Sequence, residues 1–221
     1  MKPMKKSSSR SITEILNGYY EGFFEKSSNN LLNFCLSICA NWVFQGITVM
    51  DRTEKIFKVF FDLLSTIFIF SVASQFINPS LLLLLVSLNI SHTINWIFNG
   101  HFFVIFLDYS SGVSAEEFQG FINKFQKKTE AEPSILAAAI FGSYAKNTNH
   151  AKSDLDIGII RYPGMINGFR ACLFILLMRI SAFFHLLPID FFLADSKEHL
   201  TNYWKEKTPI ILKDNNRIFS R

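Results

Sequence analysis

The chain has 221 residues, of which 49% are hydrophobic, 18% are charged and 25 are phenylalanine, with a formal net charge of +4. A charged share below about a quarter favours either an unusually apolar interior or contact with lipid. Cys35, Cys39 and Cys172 are too few and too badly spaced for a zinc site or a disulfide framework, and their apolar surroundings suit a reducing compartment.

The first ten residues form a short tail of Lys, Ser and Arg that carries much of the positive charge. Such a tail is expected to be disordered and solvated, with binding to anionic lipid or nucleic acid as the alternative. It is not predicted to be a signal peptide, because acidic residues from Glu14 onward come before any long apolar run. The expected location is cytoplasmic.

A long apolar stretch follows, since residues 63 to 107 contain no Asp, Glu, Lys or Arg. The turn signal Asn78-Pro79-Ser80 interrupts it near the middle. This pattern predicts two apolar helices at about residues 58–78 and 80–98. About 20 residues cross the hydrocarbon core of a bilayer, so the helices would form a hairpin that enters a membrane with both ends on the cytoplasmic face.

A soluble bundle with buried central helices is the alternative, because uncompensated polar groups are costly in lipid. The polar residues that weaken the spanning interpretation are Asp62, Gln75, Asn89, His92 and Asn95. Several of them recur every three to four residues, which places a row of amides and an imidazole on one helix face. Such a row suggests an internal hydrogen-bond network or a cavity wall.

The composition changes after residue 107, where residues 108–112 read as a linker. Ser114 and Glu117 match a capping box that opens a helix through about Lys128. Hydrophobic periodicity then predicts strands at 135–141, 155–161, 188–193 and 210–213, with helices at 165–186 and 196–205. The arginines of the long helix, Arg170 and Arg179, are expected at its solvent edge.

These elements predict an α+β fold with two regions. Residues 1–112 would form an all-α hydrophobic region, and residues 113–221 would form a domain with a small mixed sheet flanked by helices.

The most informative stretch is FGSYAKNTNHAKSDLDIGII, residues 141 to 160. Asp154 and Asp156 are two apart in a predicted strand, so their side chains share one face while Leu155 points into the core. Two adjacent carboxylates repel each other unless a counter-charge is present. A divalent cation supplies that charge, and Mg²⁺ typically takes one or two protein carboxylates together with substrate phosphate and water.

The residues at the start of this stretch suit a phosphate group. Gly142 allows a sharp turn and a close approach of the backbone to a ligand. A helix beginning at Ser143 or Tyr144 would direct free N–H groups at an anion, with the Ser143 hydroxyl and the Lys146 ammonium close by. A solitary acid in a later apolar strand, Asp190, is the candidate for a third carboxylate.

The chain carries a Gly-Ser pair that is followed, after ten residues, by Asp-x-Asp. This pattern resembles the signature of the DNA polymerase β-like nucleotidyltransferase superfamily, particularly its minimal nucleotidyltransferase branch. The resemblance covers roughly residues 115 to 213. It implies that Gly142, Ser143 and Lys146 hold the phosphates of an NTP, with ATP expected, and that Asp154, Asp156 and Asp190 bind two Mg²⁺ ions and form the catalytic site. The implied reaction transfers a nucleoside monophosphate to an acceptor hydroxyl and releases pyrophosphate.

The chain has Lys146-Asn147 where many members of the superfamily carry Arg-Gly. Its N-terminal half contains no recognisable motif that would identify the acceptor substrate. A catalytically silent nucleotide-binding or antitoxin-like module, which would hold a protein partner, stays open. So does a membrane-associated glycosyltransferase that holds a nucleotide-sugar on Asp154 and Asp156. A nucleic acid end, a protein, a small molecule and a lipid-linked sugar all remain open as acceptors.

Overall fold

The computed structural model describes residues 31–45, 47, 50–99, 113–148, 153–201 and 209–219. The basic tail, the linker at 108–112 and residues 202–205 of the predicted helix at 196–205 lie outside these residues. The chain divides into two compact units, residues 1–49 and 50–221. In the first unit, helix α1 spans Leu31–Phe44.

Two long antiparallel helices open the second unit: α2 spans Arg52–Ala73 and α3 spans Leu81–Asn99. Asp51 caps α2, because its side chain accepts a hydrogen bond from the Glu54 N–H at 2.7 Å. The turn between the helices contains Pro79, as the sequence predicts. Both helices are long and apolar enough to cross a membrane, by length and composition.

A four-stranded mixed sheet follows, in the order β3-β2-β1-β4. Its strands are β1 (Ile135–Phe141), β2 (Leu155–Arg161), β3 (Ile189–Ala194) and β4 (Ile210–Asp214). Strand β1 is antiparallel to β2 and to β4, whereas β2 and β3 are parallel. The predicted strands and the α+β class are therefore confirmed, with shifts of one residue at the ends of β3 and β4.

Four helices accompany the strands: α4 (Ala115–Ala131), α5 (Gly142–Ala145), α6 (Met165–Phe184) and α7 (Lys197–Thr201). The predicted capping box opens α4, since Glu117 N–H donates to Ser114 Oγ and Ser114 N–H donates to Glu117 Oε2. Helix α6 connects the parallel strands β2 and β3. It also meets the length and composition of a membrane span, but much of it packs into the core beside the sheet.

The two faces of the sheet differ. Apolar side chains of one face form the main core with α4 and α6; in β2 these are Leu155, Ile157 and Ile159. A smaller cluster around Ile160 and Ala194 lies on the opposite face. Because side chains alternate along a strand, Asp156 and Asp190 belong to the face opposite the main core.

Two buried arginines join the sheet to the first turns of α2. Arg161, at the end of β2, donates to Asp51 Oδ2 at 2.9 Å and to Thr53 Oγ1 at 3.1 Å. Arg179 lies 3.7 Å from the Glu54 carboxylate, and its side chain is only 10% exposed. The expectation that Arg179 lies at the solvent edge is therefore wrong, whereas Arg170 is exposed.

Candidate nucleotide-binding and metal-binding site

The candidate site lies where β1 ends and where β2 and β3 begin. Phe141, the last residue of β1, pairs with Asp156 of β2. Asp156 in turn pairs with Asp190 of β3. Three adjacent strands therefore bring the turn after β1 and the two acids to the same edge of the sheet.

Asp156 and Asp190 are side by side because β2 and β3 are parallel and in register at this position. Directly opposed residues on neighbouring strands place their side chains on the same face. Each aspartate is half-buried. The sheet therefore holds two carboxylates together on the face opposite its main core.

Gly142 is in immediate contact with Asp156. It has a φ of +72°, and a Cβ atom built there would lie 2.1 Å from Asp156 Oδ2. Both its left-handed conformation and the space beside the carboxylate therefore require glycine. The Gly-Ser turn and the Asp-x-Asp segment, separated by ten residues in the chain, meet at this point.

Helix α5 begins at Gly142, close to where the sequence predicts a helix, but it has only four residues. A single turn contributes little macrodipole, so any contact with an anion would depend on local N–H groups and on Ser143 itself. Ser143 is half-buried, and its carbonyl accepts a hydrogen bond from the Thr148 N–H at 3.0 Å. This bond closes the turn behind the serine.

The two remaining candidates lie at the margins of the site. Lys146 follows α5 and is exposed. Asn147 has a φ of +55°, a left-handed conformation that asparagine tolerates better than most residues. Asp154 precedes β2 and is half-buried.

The donor types fit a hard cation, since the site presents carboxylate oxygens beside a glycine turn. Within the described ranges, however, no group of three or more His, Cys, Asp and Glu side chains is arranged so that it could hold a metal ion. The structure thus pairs Asp156 with Asp190 and Asp156 with Gly142, but it does not form a complete ligand group from the three aspartates.

Arg179 connects this edge of the sheet to the helical hairpin, a role that the sequence analysis missed. Its Nη2 donates to the carbonyl of Phe191, the residue after Asp190, at 2.9 Å. Its Nη1 donates to Asn99 Oδ1 at 2.6 Å. A signal was present in the sequence: Arg170 and Arg179 are nine residues apart, or two and a half helical turns, so they cannot share one face.

One pocket, of about 240 Å³, lies between α4 and α6 and is lined by residues that include Glu117, Lys124 and His185. These residues belong to the helix-covered side of the sheet. The aspartates belong to the opposite face, so this pocket is not part of the candidate site.

Comparison with known protein families gives a match over part of the chain. Residues 123–216 match the family described as polymerase beta, nucleotidyltransferase. No curated protein and no solved structure matches the chain. The matched segment contains the Gly-Ser turn, the Asp-x-Asp pair and Asp190 in their observed strand context. This match, which covers less than half of the chain, is consistent with a nucleotidyltransferase domain of the polymerase β-like superfamily at residues 123–216.

Proposed function

We propose that the protein is a Mg²⁺-dependent enzyme that transfers a nucleoside monophosphate from an NTP, with ATP as the first candidate, to an acceptor hydroxyl. The observation that carries the proposal is the set of contacts around Asp156. Its strand partner is Asp190, and its carboxylate touches the backbone of Gly142. A nucleotidyltransferase needs a phosphate-binding turn beside metal-binding acids, and the contact of a glycine turn with one of two paired carboxylates supports that assignment.

The acids would hold the metal together with the substrate. Mg²⁺ commonly uses one or two protein carboxylates and completes its coordination with phosphate oxygens and water. Asp154 and Asp156 would hold the ions on the nucleotide, and Asp190 would complete the site for the acceptor. When bound, Mg²⁺ neutralises charge on the triphosphate and stabilises the charge that develops during transfer.

The turn at Gly142 and Ser143 would bind the two phosphates of the NTP that leave as pyrophosphate. N–H groups at Gly142 and Ser143, together with the Ser143 hydroxyl, would donate to the β- and γ-phosphates. Lys146 is exposed and would add a positive charge near the departing pyrophosphate. The chain has little covalent chemistry to perform in such a reaction, so its contribution is positioning and electrostatic stabilisation.

The reaction balances without a further reactant. The acceptor oxygen bonds to the α-phosphorus, and the bond from that phosphorus to the α–β bridging oxygen breaks. Pyrophosphate leaves with the electron pair. The acceptor hydroxyl gives up its proton, for which the Asp190 carboxylate is the candidate acceptor because it is in register with Asp156.

The test uses the full chain in detergent, each of the four NTPs labelled at the α-phosphate, Mg²⁺ and pools of lipid, RNA, protein and small-molecule acceptors. The expected result is label transfer to one pool with release of pyrophosphate, and no transfer of label from a γ-labelled NTP. The double variant Asp154→Asn/Asp156→Asn should lose transfer. Asp195→Asn is the matched control, because this acid follows β3 and is 57% exposed.

Three results would contradict the proposal. The first is no transfer from any NTP to any pool. The second is nucleotide binding without pyrophosphate release by a chain that co-purifies with a protein, which would support the silent module. The third is turnover of a nucleotide-sugar in place of an NTP, which would support the glycosyltransferase.

A further inference from the structure

The outer surface of the α2–α3 hairpin is apolar over nearly its whole length beyond Lys58. Its large exposed hydrophobic residues are Val59, Phe60, Leu63, Leu64, Ile67, Phe68, Val72, Phe76, Ile77, Leu81, Leu82, Leu84, Leu85, Val86, Leu88 and Ile90. A water-soluble monomer rarely exposes an apolar patch larger than about 300–600 Å². This surface needs an apolar environment.

The inner surface of the hairpin is polar, which is the reverse of a soluble helical pair. The residues that α3 buries include Ser87, Ser91, Asn95 and Asn99, four apart along one seam. Small and polar residues at a helix interface, with Leu, Ile, Val and Phe outside, are the arrangement of helices packed in a membrane.

Asp62 of α2 faces this seam and has hydrogen-bond partners inside the hairpin. Its carboxylate is 2.9 Å from His92 Nδ1 and accepts from Asn95 Nδ2 at 2.8 Å. Its backbone carbonyl accepts from the Ser91 hydroxyl at 2.9 Å. Polar groups are tolerated at membrane depth when they face the bundle interior and have partners. Asp62, His92 and Asn95, three of the polar residues that weakened the membrane interpretation, therefore bond to one another inside the hairpin. Gln75 and Asn89 are exposed, and their side-chain amides donate to the backbone carbonyls four residues earlier.

Hydroxyl groups nearer the tip also bond within the hairpin. Thr66 donates to the Asp62 carbonyl at 2.6 Å, and Ser87 donates to the Leu83 carbonyl at 2.8 Å. Because each hydroxyl donates to the carbonyl four residues earlier, neither hydroxyl needs water as its acceptor.

The hairpin is long enough to enter a bilayer. Helix α2 has 22 residues and α3 has 19, which corresponds to roughly 33 and 28 Å at 1.5 Å per residue. The first turns of α2, through Lys58, are buried against the rest of the unit, so residues 59–73 of this helix, roughly 22 Å long, are available to enter a hydrocarbon core about 30 Å thick. Because the helices are antiparallel, their outer ends lie on one side, where Asp51 pairs with Arg161 of β2 and Glu54 pairs with Arg179 of α6.

Positive charge is present at that outer end. Arg52 is exposed and Lys55 is partly exposed in the first turn of α2. Lys124 donates to the Ser181 hydroxyl of α6. Two residues further along α6, the Phe183 ring is 5.1 Å from the Phe98 ring at the base of the hairpin. Basic residues at the ends of apolar helices favour contact with anionic headgroups and the cytoplasmic side.

We infer that the α2–α3 hairpin inserts into a phospholipid bilayer and holds the nucleotidyltransferase domain at the membrane surface. The occupant of the apolar surface is lipid rather than a second copy or a single protein partner. The exposed residues lie on the outward sides of both helices and on the turn, so one docked partner would cover only part of them. This inference does not depend on the transfer chemistry.

The first test is flotation of the full chain with vesicles of phosphatidylcholine and anionic phosphatidylglycerol, followed by an alkaline carbonate wash. The wild-type chain should float and should resist the wash. Phe68→Lys/Leu85→Lys places two charges on the outer surface and should lower flotation at least about tenfold. Ile166→Lys/Ile211→Lys is the matched control, because both positions are exposed outside the hairpin, and it should float like wild type.

A second measurement does not depend on how the lysine variant folds. Phe68→Cys, in a Cys35→Ser/Cys39→Ser background, carries an environment-sensitive fluorophore. Its emission should shift to the blue on adding vesicles, and spin-labelled acyl chains should quench it. A wild-type chain that stays soluble, one that carbonate releases, or an unquenched fluorophore would overturn the inference. A stable lipid-free dimer that does not float would identify a second copy as the occupant.

Discussion

Asp156 and Asp190 are register partners on the parallel strands β2 and β3. The two residues are 34 positions apart in the sequence, and helix α6 supplies the crossover that brings their strands together. Parallel strands need such a connection. The geometry of the acids therefore depends on how α6 packs as well as on the acids themselves.

Asp190→Asn should keep the fold and lower the rate of nucleotidyl transfer by roughly 100-fold or more, the range for loss of a general base. The asparagine amide has nearly the same shape as the carboxylate. It cannot take the proton from the acceptor hydroxyl, and it cannot bind Mg²⁺ as an anion. The measurement is the initial rate of label transfer, with Asp195→Asn in parallel. A rate within twofold of wild type would remove Asp190 from the mechanism.

Gly142→Ala should reduce transfer by about tenfold or more, since a strained backbone of this kind costs about 1–3 kcal/mol and the new methyl would collide with Asp156 Oδ2. Gly164→Ala separates the two causes. Gly164 also has a positive φ, of +103°, but has open space where a Cβ would lie. Both variants should lose stability in thermal melting, and only Gly142→Ala should lose most of its activity. Equal activity of the two would contradict the contact with Asp156.

Arg179→Lys should lower the transfer rate by roughly 10–100-fold, the usual effect of altering a residue that orients a metal ligand. Lysine cannot donate to Asn99 and to the Phe191 carbonyl at the same time with the planar geometry of arginine. The Mg²⁺ concentration that gives a half-maximal rate should also rise. A residue with a merely structural role would leave this concentration unchanged. Arg170→Lys is the matched control on the same helix, and an unchanged Mg²⁺ dependence in Arg179→Lys would refute the positioning role.

Glu132 should give the fold a pH-dependent stability. Burial raises the pKa of its carboxyl, but hydrogen bonds from Ser134 and Arg170 outweigh burial and leave that pKa below its ordinary value. A lowered pKa in the folded state stabilises the protein above the unfolded pKa, and this contribution is lost as the pH falls through the folded value. Glu132→Gln should therefore melt at a lower temperature than wild type at pH 7.

The difference in melting temperature should shrink as the pH falls below about 4. Glu130→Gln is the control, because this exposed acid lies in the same part of the chain and its carboxylate accepts from Gln126. A deficit of the same size at pH 7 and at acid pH would show that shape rather than charge accounts for the effect.

Local sequence patterns predict much of this fold. The ends of β1 and β2, the capping box at Ser114 and the turn at Pro79 depend on residues close together in the chain, and the structure has them as expected. The order of the sheet and the register of Asp156 with Asp190 depend on long-range pairing, which periodicity does not contain. The residue types around Gly142 and Asp156 predict a phosphate-binding turn and metal-binding acids, but the direct contact of these two residues depends on the pairing of β1 with β2.

The polar residues of the apolar helices show a different limit. Asp62 and His92 are 30 positions apart, so their pairing becomes visible only when the hairpin forms. Arg179 could have been placed inside from its spacing to Arg170, but its partners, Asn99 and the Phe191 carbonyl, could not. Buried polar groups find partners through tertiary structure, and single-sequence patterns identify the group without identifying the partner.

The most direct measurement is a crystal structure of the full chain with Mn²⁺ and a non-hydrolysable ATP analogue, with the metal located by its anomalous scattering. The expected result is a manganese peak coordinated by Asp156 together with Asp154 or Asp190, and triphosphate oxygens at the backbone of Gly142 and Ser143. A peak remote from these aspartates, or a nucleotide bound away from that turn, would contradict the proposed site.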